Sequence, residues 1–414
     1  MADRMPGRGT VARVFLPFAF GYFLSYLFRV INAVIAPALV ADLALSPADL
    51  GLLTGIYFIT FAAAQLPLGI VLDRWGARRT EATMLLFAVA GALCFAAADG
   101  FAGVVFGRAL IGLGVSACLM AAFKSFAVWF PAARLPQING WQMAAGGLGA
   151  ITATIPVAAA LEVIGWRGVF MVIAALTGIA AALILFVVPE ERRHGPAAAV
   201  SLAEMAAGTR RVFASPLFWR VAPMTIASQA TFLAMQGLWL GPWLRDVAGL
   251  APATVAQALL VVAVAMVAGF ITLGWAGART ARWGWGPLPV TAAGISIFAL
   301  VQAAIIAGAT SALPLLLPLF GFFGTSAIVA YAGLTQRFPP ALAGRVNTAI
   351  NLLVFVAAFA VQWGMGAIIG LWPPASPGVS AEAGYRAAFG VMLAAEMAGL
   401  AWYFVYRRSA VPAG

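Results

Sequence analysis

The chain has 414 residues, of which 64% are Ala, Val, Ile, Leu, Met, Phe, Trp, Tyr or Cys and only 9% are charged. Its mean hydropathy is +1.00. An ordinary soluble domain carries about 25% charged residues, and a globule of this size cannot hide so much apolar surface from water. A soluble enzyme and a disordered chain are excluded, and an all-α polytopic membrane protein remains.

A hydrocarbon core about 30 Å thick takes about 20 apolar residues of helix. Such runs number twelve, over 13–39, 49–72, 80–98, 101–130, 139–161, 168–189, 221–244, 252–277, 286–309, 311–335, 345–371 and 385–406. They lack the strict alternation of a membrane β-strand. The 24 basic residues outnumber the 13 acidic ones, and all but Lys124 are arginine. In a soluble protein that excess would suggest nucleic acid; here it writes orientation, and no nucleic-acid partner is expected. With the N-terminus inside, the cytoplasmic loops collect Arg4, Arg8, Arg13, Arg74, Arg78, Arg79, Arg134, Arg192, Arg193, Arg210, Arg211, Arg220, Arg279, Arg282, Arg337, Arg345, Arg407 and Arg408. Only Arg167, Arg245 and Arg386 fall outside, so both termini are placed in the cytoplasm.

In chain order, span 1 carries Arg29 about 24 Å along its axis, on a stripe with Tyr22 and Tyr26, and Asn32 lies one turn on. Span 2 carries Tyr57 and Gln65 and runs into the loop Gly69-x-x-x-Asp73-Arg74-x-Gly76-x-Arg78-Arg79. Span 4 holds Arg108 towards its outer end and Lys124 about 10 Å inside its inner end. Span 5 carries Gln142, and its Gly146 and Gly149, like Gly112 and Gly114 on span 4, are small residues suited to close helix packing. After span 6 a polar segment from 190 to 220 contains the single histidine, His194, and reads as a linker. Gln229 and Gln236 lie on span 7, Tyr331 on span 10, and Asn347, Asn351, Phe355 and Gln362 form a stripe on span 11. Glu396 is the one acid in the middle of a span. No metal-ligand cluster, catalytic pair or cofactor motif is read in the chain, so neither an enzyme nor a bound cofactor is expected. A soft-metal carrier using Met224, Met235, Met266, Cys94 and Cys118 is a weaker alternative. Met224 and Met235 stand about 16 Å apart along one helix.

The halves echo each other. Gly69 to Arg74 matches Gly274 to Arg279, 205 residues on; Phe130-Pro131 with Asn139 matches Phe338-Pro339 with Asn347, 208 on. Gly165-Trp166-Arg167-Gly-Val-Phe170 matches Gly384-Tyr385-Arg386-Ala-Ala-Phe389, 219 on. Six spans per repeat make the duplication parallel, about an axis along the membrane normal. The expected organisation is a bundle over 1–189, the linker 190–220 and a second bundle over 221–414.

The loop Gly69–Arg79 and the sequence Arg108-x-x-x-Gly112-x-Gly114 resemble motifs of the major facilitator superfamily, and the resemblance covers essentially the whole chain. In the second-half loop Ala278 stands where the acid would be, and span 5 lacks the Gly-Pro motif of proton-coupled drug exporters. The resemblance implies two pseudo-symmetric six-helix bundles working by alternating access. Gly69, Asp73, Arg74, Gly76, Arg78 and Arg79 would form a conformational latch, Asp73 accepting from helix N–H groups and an arginine; the arginines alone could also be plain topology signals.

Charges inside a membrane are costly and mark candidate sites. If helices 1 and 4 line the cavity, as the resemblance implies, Arg29 and Arg108 could flank one anion, because the guanidinium fork fits carboxylate and phosphate. Arg108 could instead be a strut on the carbonyls of a broken helix. Lys124, ahead of Trp129-Phe130-Pro131, resembles organic-anion branches of the superfamily. The candidate substrate contacts are Arg29, Arg108, Tyr26, Asn32, Tyr57, Lys124, Gln229, Gln236, Tyr331 and Asn351. The expected function is transport of a small organic or inorganic anion, with efflux of amphipathic drug-like compounds as the alternative. The expected setting is a monomer in the lipid bilayer of a bacterial inner membrane.

Overall fold

The computed structural model describes residues 8–131, 134–190, 202–279, 286–339, 342–376 and 378–406. Arg4, Arg192, Arg193, His194, Arg282, Arg407 and Arg408 lie outside the described residues, as do the side chains of Asp73, Ala278 and Arg279. In hydrocarbon every backbone N–H and C=O must find a partner inside its own segment, and the described chain is helical apart from one isolated bridge, Ser376 to Val379.

The first half contains six helices. α1 covers Arg8–Val30 and Asn32–Leu43 with an interruption at Ile31. Pro37 contributes to that weakness, since it has no N–H to return to the Ala33 carbonyl. α2 (47–75) opens on a reciprocal cap: Asp49 N donates to Ser46 Oγ at 3.1 Å and Ser46 N donates to Asp49 Oδ2 at 3.0 Å. α3 is Ala77–Ala97, and α4 is Phe101–Val115 followed by Cys118–Trp129. α5 is Leu135–Thr152 continued over 155–164, and α6 is 166–187. Two corners turn on glycine in left-handed space, Gly76 (φ 79°, ψ 165°) between α2 and α3 and Gly165 (φ 65°, ψ 174°) between α5 and α6. An L side chain resists that conformation. Gly76 thus has a turning role in the loop, whatever its neighbours do.

The second half begins with a short linker helix, Leu202–Phe213. α7 runs through Pro216–Ala234, a π turn at Met235–Trp239, and Leu240–Asp246. α8 is Pro252–Arg279 and α9 is Pro287–Ile306. α10 is Thr310–Thr335 with 3₁₀ interruptions, α11 is Ala343–Ile369 and α12 is Glu382–Val405. Ten of the described helices are long and apolar enough to cross a membrane. The other two are α5 and α7, each made of shorter helical pieces, and with them the helices number twelve.

The chain forms two compact units, Met1–Leu45 with Ile56–Ala199, and Ser46–Gly55 with Val200–Gly414. The boundary expected at 190–220 is crossed by one segment, because Ser46–Gly55 at the start of α2 groups with the second unit. Close packing in the first unit depends on missing side chains. A methyl group at Gly149 would lie 2.1 Å from the Phe23 carbonyl oxygen, and one at Gly112 would lie 2.4 Å from that of Tyr57. Those glycines are spacers for α1–α5 and α2–α4 contact, as their sequence positions suggest.

Each unit also ties the end of its first helix to the start of its sixth. In the first, the Asp42 carboxylate accepts from Trp166 Nε1 at 3.1 Å and from Arg167, whose Nη2 also donates to the Ala98 carbonyl. In the second, Asp246 Oδ2 accepts from the Tyr385 hydroxyl at 2.8 Å and Ser380 N at 3.1 Å, and Oδ1 accepts from Arg245 Nε at 2.6 Å. Trp166 and Tyr385 are the matched residues of the internal repeat.

Candidate functional site

In the first unit, a buried cationic cluster forms where α1 and α4 are both broken. One turn apart on α1, Tyr22 and Tyr26 pack edge to face at 5.6 Å, and Arg29 follows. The Arg29 guanidinium stands 4.6 Å from the Tyr26 ring centre and 5.5 Å from that of Phe61 on α2. It is also within hydrogen-bonding reach of the Tyr26 and Tyr57 hydroxyls. The residue is 7% exposed. Ring faces attract a desolvated guanidinium by about 2 kcal/mol or more. The rings offset part of the cost of carrying a charge into an apolar span, and a charge kept there at such cost points to function.

Arg108 stands on the other side of the same tyrosine. Its guanidinium lies 4.9 Å from the Tyr57 ring centre, and its Nη2 donates to the Arg29 carbonyl at 3.5 Å, just before the break at Ile31. The residue is fully buried, and its Nε and Nη1 have no hydrogen-bond partner. Arg108 thus contacts both a backbone carbonyl at the α1 break and the ring of Tyr57, whose hydroxyl is within reach of Arg29. The break in α4 is satisfied by side chains. Ser25 Oγ donates to the Val115 carbonyl at 3.5 Å, Gln65 Nε2 to that of Ser116 at 3.4 Å, and Ser116 Oγ to that of Leu113 at 2.7 Å. Asn32 is fully buried beyond the α1 break.

Lys124 is held elsewhere. Its Nζ donates at 2.8 Å to the Leu72 carbonyl, capping the last turn of α2 next to the Asp73 loop. In that loop Arg78 donates to the Val188 carbonyl and, with Arg79, to the Glu190 carboxylate, at 3.2 Å and 2.6 Å. The two arginines therefore bind the residues that follow α6. Gly69 and the exposed Arg74 belong to the same stretch of α2.

In the second unit the expected residues form separate pairs. The Tyr331 hydroxyl donates to Asn351 Oδ1 at 3.5 Å, and Thr335 Oγ1 donates to Asn347 Oδ1 at 2.8 Å. Gln236, in the π turn, donates to Met266 Sδ at 3.2 Å, which uses one sulfur of the soft-metal alternative. Gln229 is half-buried, with its Oε1 unpartnered. Gln362 is fully buried, and neither side-chain amide atom has a partner.

Glu81, in the first turn of α3, escapes a reading of the sequence. It is fully buried, packed against Gly21 of α1 and faced by the Cys118 thiol of α4. Its position directly after Arg78-Arg79-Thr80 disguises it as part of a charged loop, and only burial separates it from them. Phe61 was equally hidden, because one more apolar residue in an apolar span carries no signal.

The arrangement defines a membrane bundle holding a buried cationic site, and the family follows from comparison. The profile of the Major Facilitator Superfamily matches residues 18–362, and the chain belongs to that family. It is a multi-pass membrane protein with the twelve-helix, two-bundle fold of these transporters. The "Probable L-galactonate transporter" of Escherichia coli (strain K12) is 27% identical over 54% of this chain and 50% of that protein. The "Probable sulfoacetate transporter SauU" of Cupriavidus necator is 28% identical over 38% of the chain and 36% of that protein. The "Tetracenomycin C resistance and export protein" of Streptomyces glaucescens is 33% identical over 40% of the chain and 31% of that protein. The chain thus spans about half the length, or less, of the curated relatives it matches. In fold it is similar to a crystal structure of a bacterial homolog to human lysosomal transporter, Spinster, with a TM-score of 0.79, 16% identity and 98% of both chains covered.

Proposed function

We propose that the protein is a secondary-active permease that moves a small organic or inorganic anion by alternating access, with Arg29 as the anchor. The observation that carries this reading is the Arg29 guanidinium, 7% exposed and seated on aromatic faces deep in an apolar helix. Its planar fork matches a carboxylate or sulfonate in a setting where water does not compete. Tyr26 and Tyr57 orient it, and Arg108 acts through the Arg29 backbone. Asn32 closes the same region. Gln229, Gln236, Tyr331 and Asn351 are the neutral hydrogen-bonding groups the second unit offers to cargo. Gly69, Asp73, Arg74, Gly76, Arg78, Arg79 and Lys124 serve the conformational change. Two relatives whose printed names carry anions, galactonate and sulfoacetate, support the substrate class. The protein acts as a monomer in a bacterial inner membrane; its arginine distribution supports both termini being cytoplasmic.

The test is a thermal-shift screen of the purified protein against sugar acids, sulfonates, phosphate esters and inorganic anions, with amines, neutral sugars and drugs as controls. A ligand at 100 times its dissociation constant stabilises by about 2.7 kcal/mol. An anion should stabilise the wild type and have no effect on Arg29→Ala. The exporter relative favours a second reading, efflux of an amphipathic compound. Stabilisation by neutral or cationic drugs that survives Arg29→Ala would replace the anion reading with that one.

A further inference from the structure

The second unit buries a carboxylate that the anion site does not use. Glu396, in the middle of α12, is fully buried. At this level α12 crosses α7 backbone to backbone: a methyl group at Gly399 would lie 2.9 Å from the Met224 Cα and N. One turn from that crossing on each helix, Ser228 of α7 faces Glu396. From α9, Gln302 Nε2 donates to Glu396 Oε2. Glu396 Oε1 and Gln302 Oε1 then lack a well-formed hydrogen bond, and Ser228 Oγ has no partner but the Glu396 carboxylate. All three residues are within 1% of complete burial.

The charged groups on the surrounding helices are engaged elsewhere. On α7, Arg220 donates to the Tyr403 carbonyl at the inner end, and Arg245 pairs with Asp246 at the outer end. On α12, Arg386 pairs with Glu382. On α11 the only charge is Arg345, which packs on Gly208 of the linker helix, and α9 carries none. An isolated carboxylate in such surroundings must be neutralised. A proton neutralises the carboxyl, to which the Ser228 hydroxyl itself donates, but leaves Gln302 Oε1 without a donor while Gln302 Nε2 is spent on Glu396. A hard cation takes carboxylate, amide carbonyl and hydroxyl oxygens together. One carboxylate balances one positive charge, so a divalent ion would leave a net charge buried.

We propose that Glu396, Gln302 and Ser228 form a buried binding site for a small monovalent cation, Na⁺, between α7, α9 and α12. The site lies wholly within the second unit and does not rest on the anion reading. A cation held there would offset one negative charge of a transported anion.

The test uses the purified full-length protein and no anion substrate. Melting is followed as NaCl replaces choline chloride at constant ionic strength and pH 7.5, and binding of ²²Na⁺ is measured directly. The melting temperature should rise saturably by several degrees, as expected for a ligand that binds only the folded state. Glu396→Gln should abolish both the rise and the ²²Na⁺ binding. Ser228→Ala and Gln302→Leu should raise the half-saturating Na⁺ concentration about tenfold, the loss of roughly one 1.4 kcal/mol contact; they carry the test if Glu396→Gln does not fold. Equal melting in Na⁺ and choline without bound ²²Na⁺ overturns the proposal, and so does a Na⁺ effect that persists in Glu396→Gln. Stabilisation by acid alone, with no Na⁺ response at any pH, also overturns it and makes a proton the occupant.

Discussion

The two units descend from one pattern and have diverged in what they bury. The first encloses cations on aromatic rings, Arg29 on Tyr26 and Phe61 and Arg108 on Tyr57. Both units bury amides, hydroxyls and a carboxylate, Glu81 in the first and Glu396 in the second, but among the described residues only the first buries cations. Where the repeat is kept, at the ties joining first and sixth helices, the partners match but the environments differ. The Asp42 side chain is 44% exposed, whereas that of Asp246 is 1% exposed. Duplication thus preserved which helices are joined, while burial came to decide how much each joint matters. An exposed ion pair is screened and shares its partners with water. A buried carboxylate with three donors leaves each of them stranded when it is removed.

Substitutions can break or sharpen this contrast. The largest effect is expected at Gly149, in the α1–α5 contact of the first unit, with the unobstructed Gly364 of α11 as the control. A leucine at Gly149 would drive its Cβ into the Phe23 carbonyl, whereas nothing lies within 4 Å of a methyl group at Gly364. Gly149→Leu should cost roughly 3 kcal/mol or more, through overpacking against backbone that cannot yield. Fluorescence-detected gel filtration should then show little folded protein.

Next comes Asp246→Ala, which strands the Tyr385 hydroxyl and the Ser380 N–H and costs Arg245 its ion pair. A loss of roughly 2–4 kcal/mol is expected, read as a fall in melting temperature that added salt does not reduce. Asp42→Ala should give a distinctly smaller fall, and one that shrinks as salt is added. The Arg167 guanidinium beside Asp42 holds that carboxyl below the usual carboxylate range. A depressed folded value means the stabilisation is fully present above the unfolded carboxylate pKa, near 4, and disappears as pH falls through the lower folded value. Wild type and Asp42→Asn should therefore differ by a constant amount from pH 8 to pH 5 and converge only in stronger acid. If Asp42 and Asp246 variants melt alike, burial is not what separates the two ties. The smallest effect is Gly364→Ala, which should raise stability by about 0.5–1 kcal/mol, since an unobstructed helical glycine only adds freedom to the unfolded chain.

Much of this was legible beforehand. The apolar runs located all twelve helices, because a span must be long and apolar whatever it packs against. The spacing Gly165-Trp166-Arg167 against Gly384-Tyr385-Arg386 marked the equivalent corners before their partners were known. Arg29 stood out because a charge deep in a span is costly in any fold. That Arg29 and Arg108 both contact Tyr57 was hidden, since a sequence records depth along a helix and not the direction a side chain takes.

The sequence by itself determined the membrane class, the helix count, the repeat and the cationic position on α1, all consequences of transfer energies along one chain. Tertiary structure alone decided that Arg108 braces the Arg29 backbone, that Lys124 caps α2, and that Arg78 and Arg79 hold Glu190. It also decided that Glu81 is inside and that Ser228 of α7 and Gln302 of α9 meet Glu396 of α12. Each of these depends on which helices meet and at what level. Contacts between residues as far apart as Ser228, Gln302 and Glu396 are set by packing, where a single glycine such as Gly399 fixes the crossing.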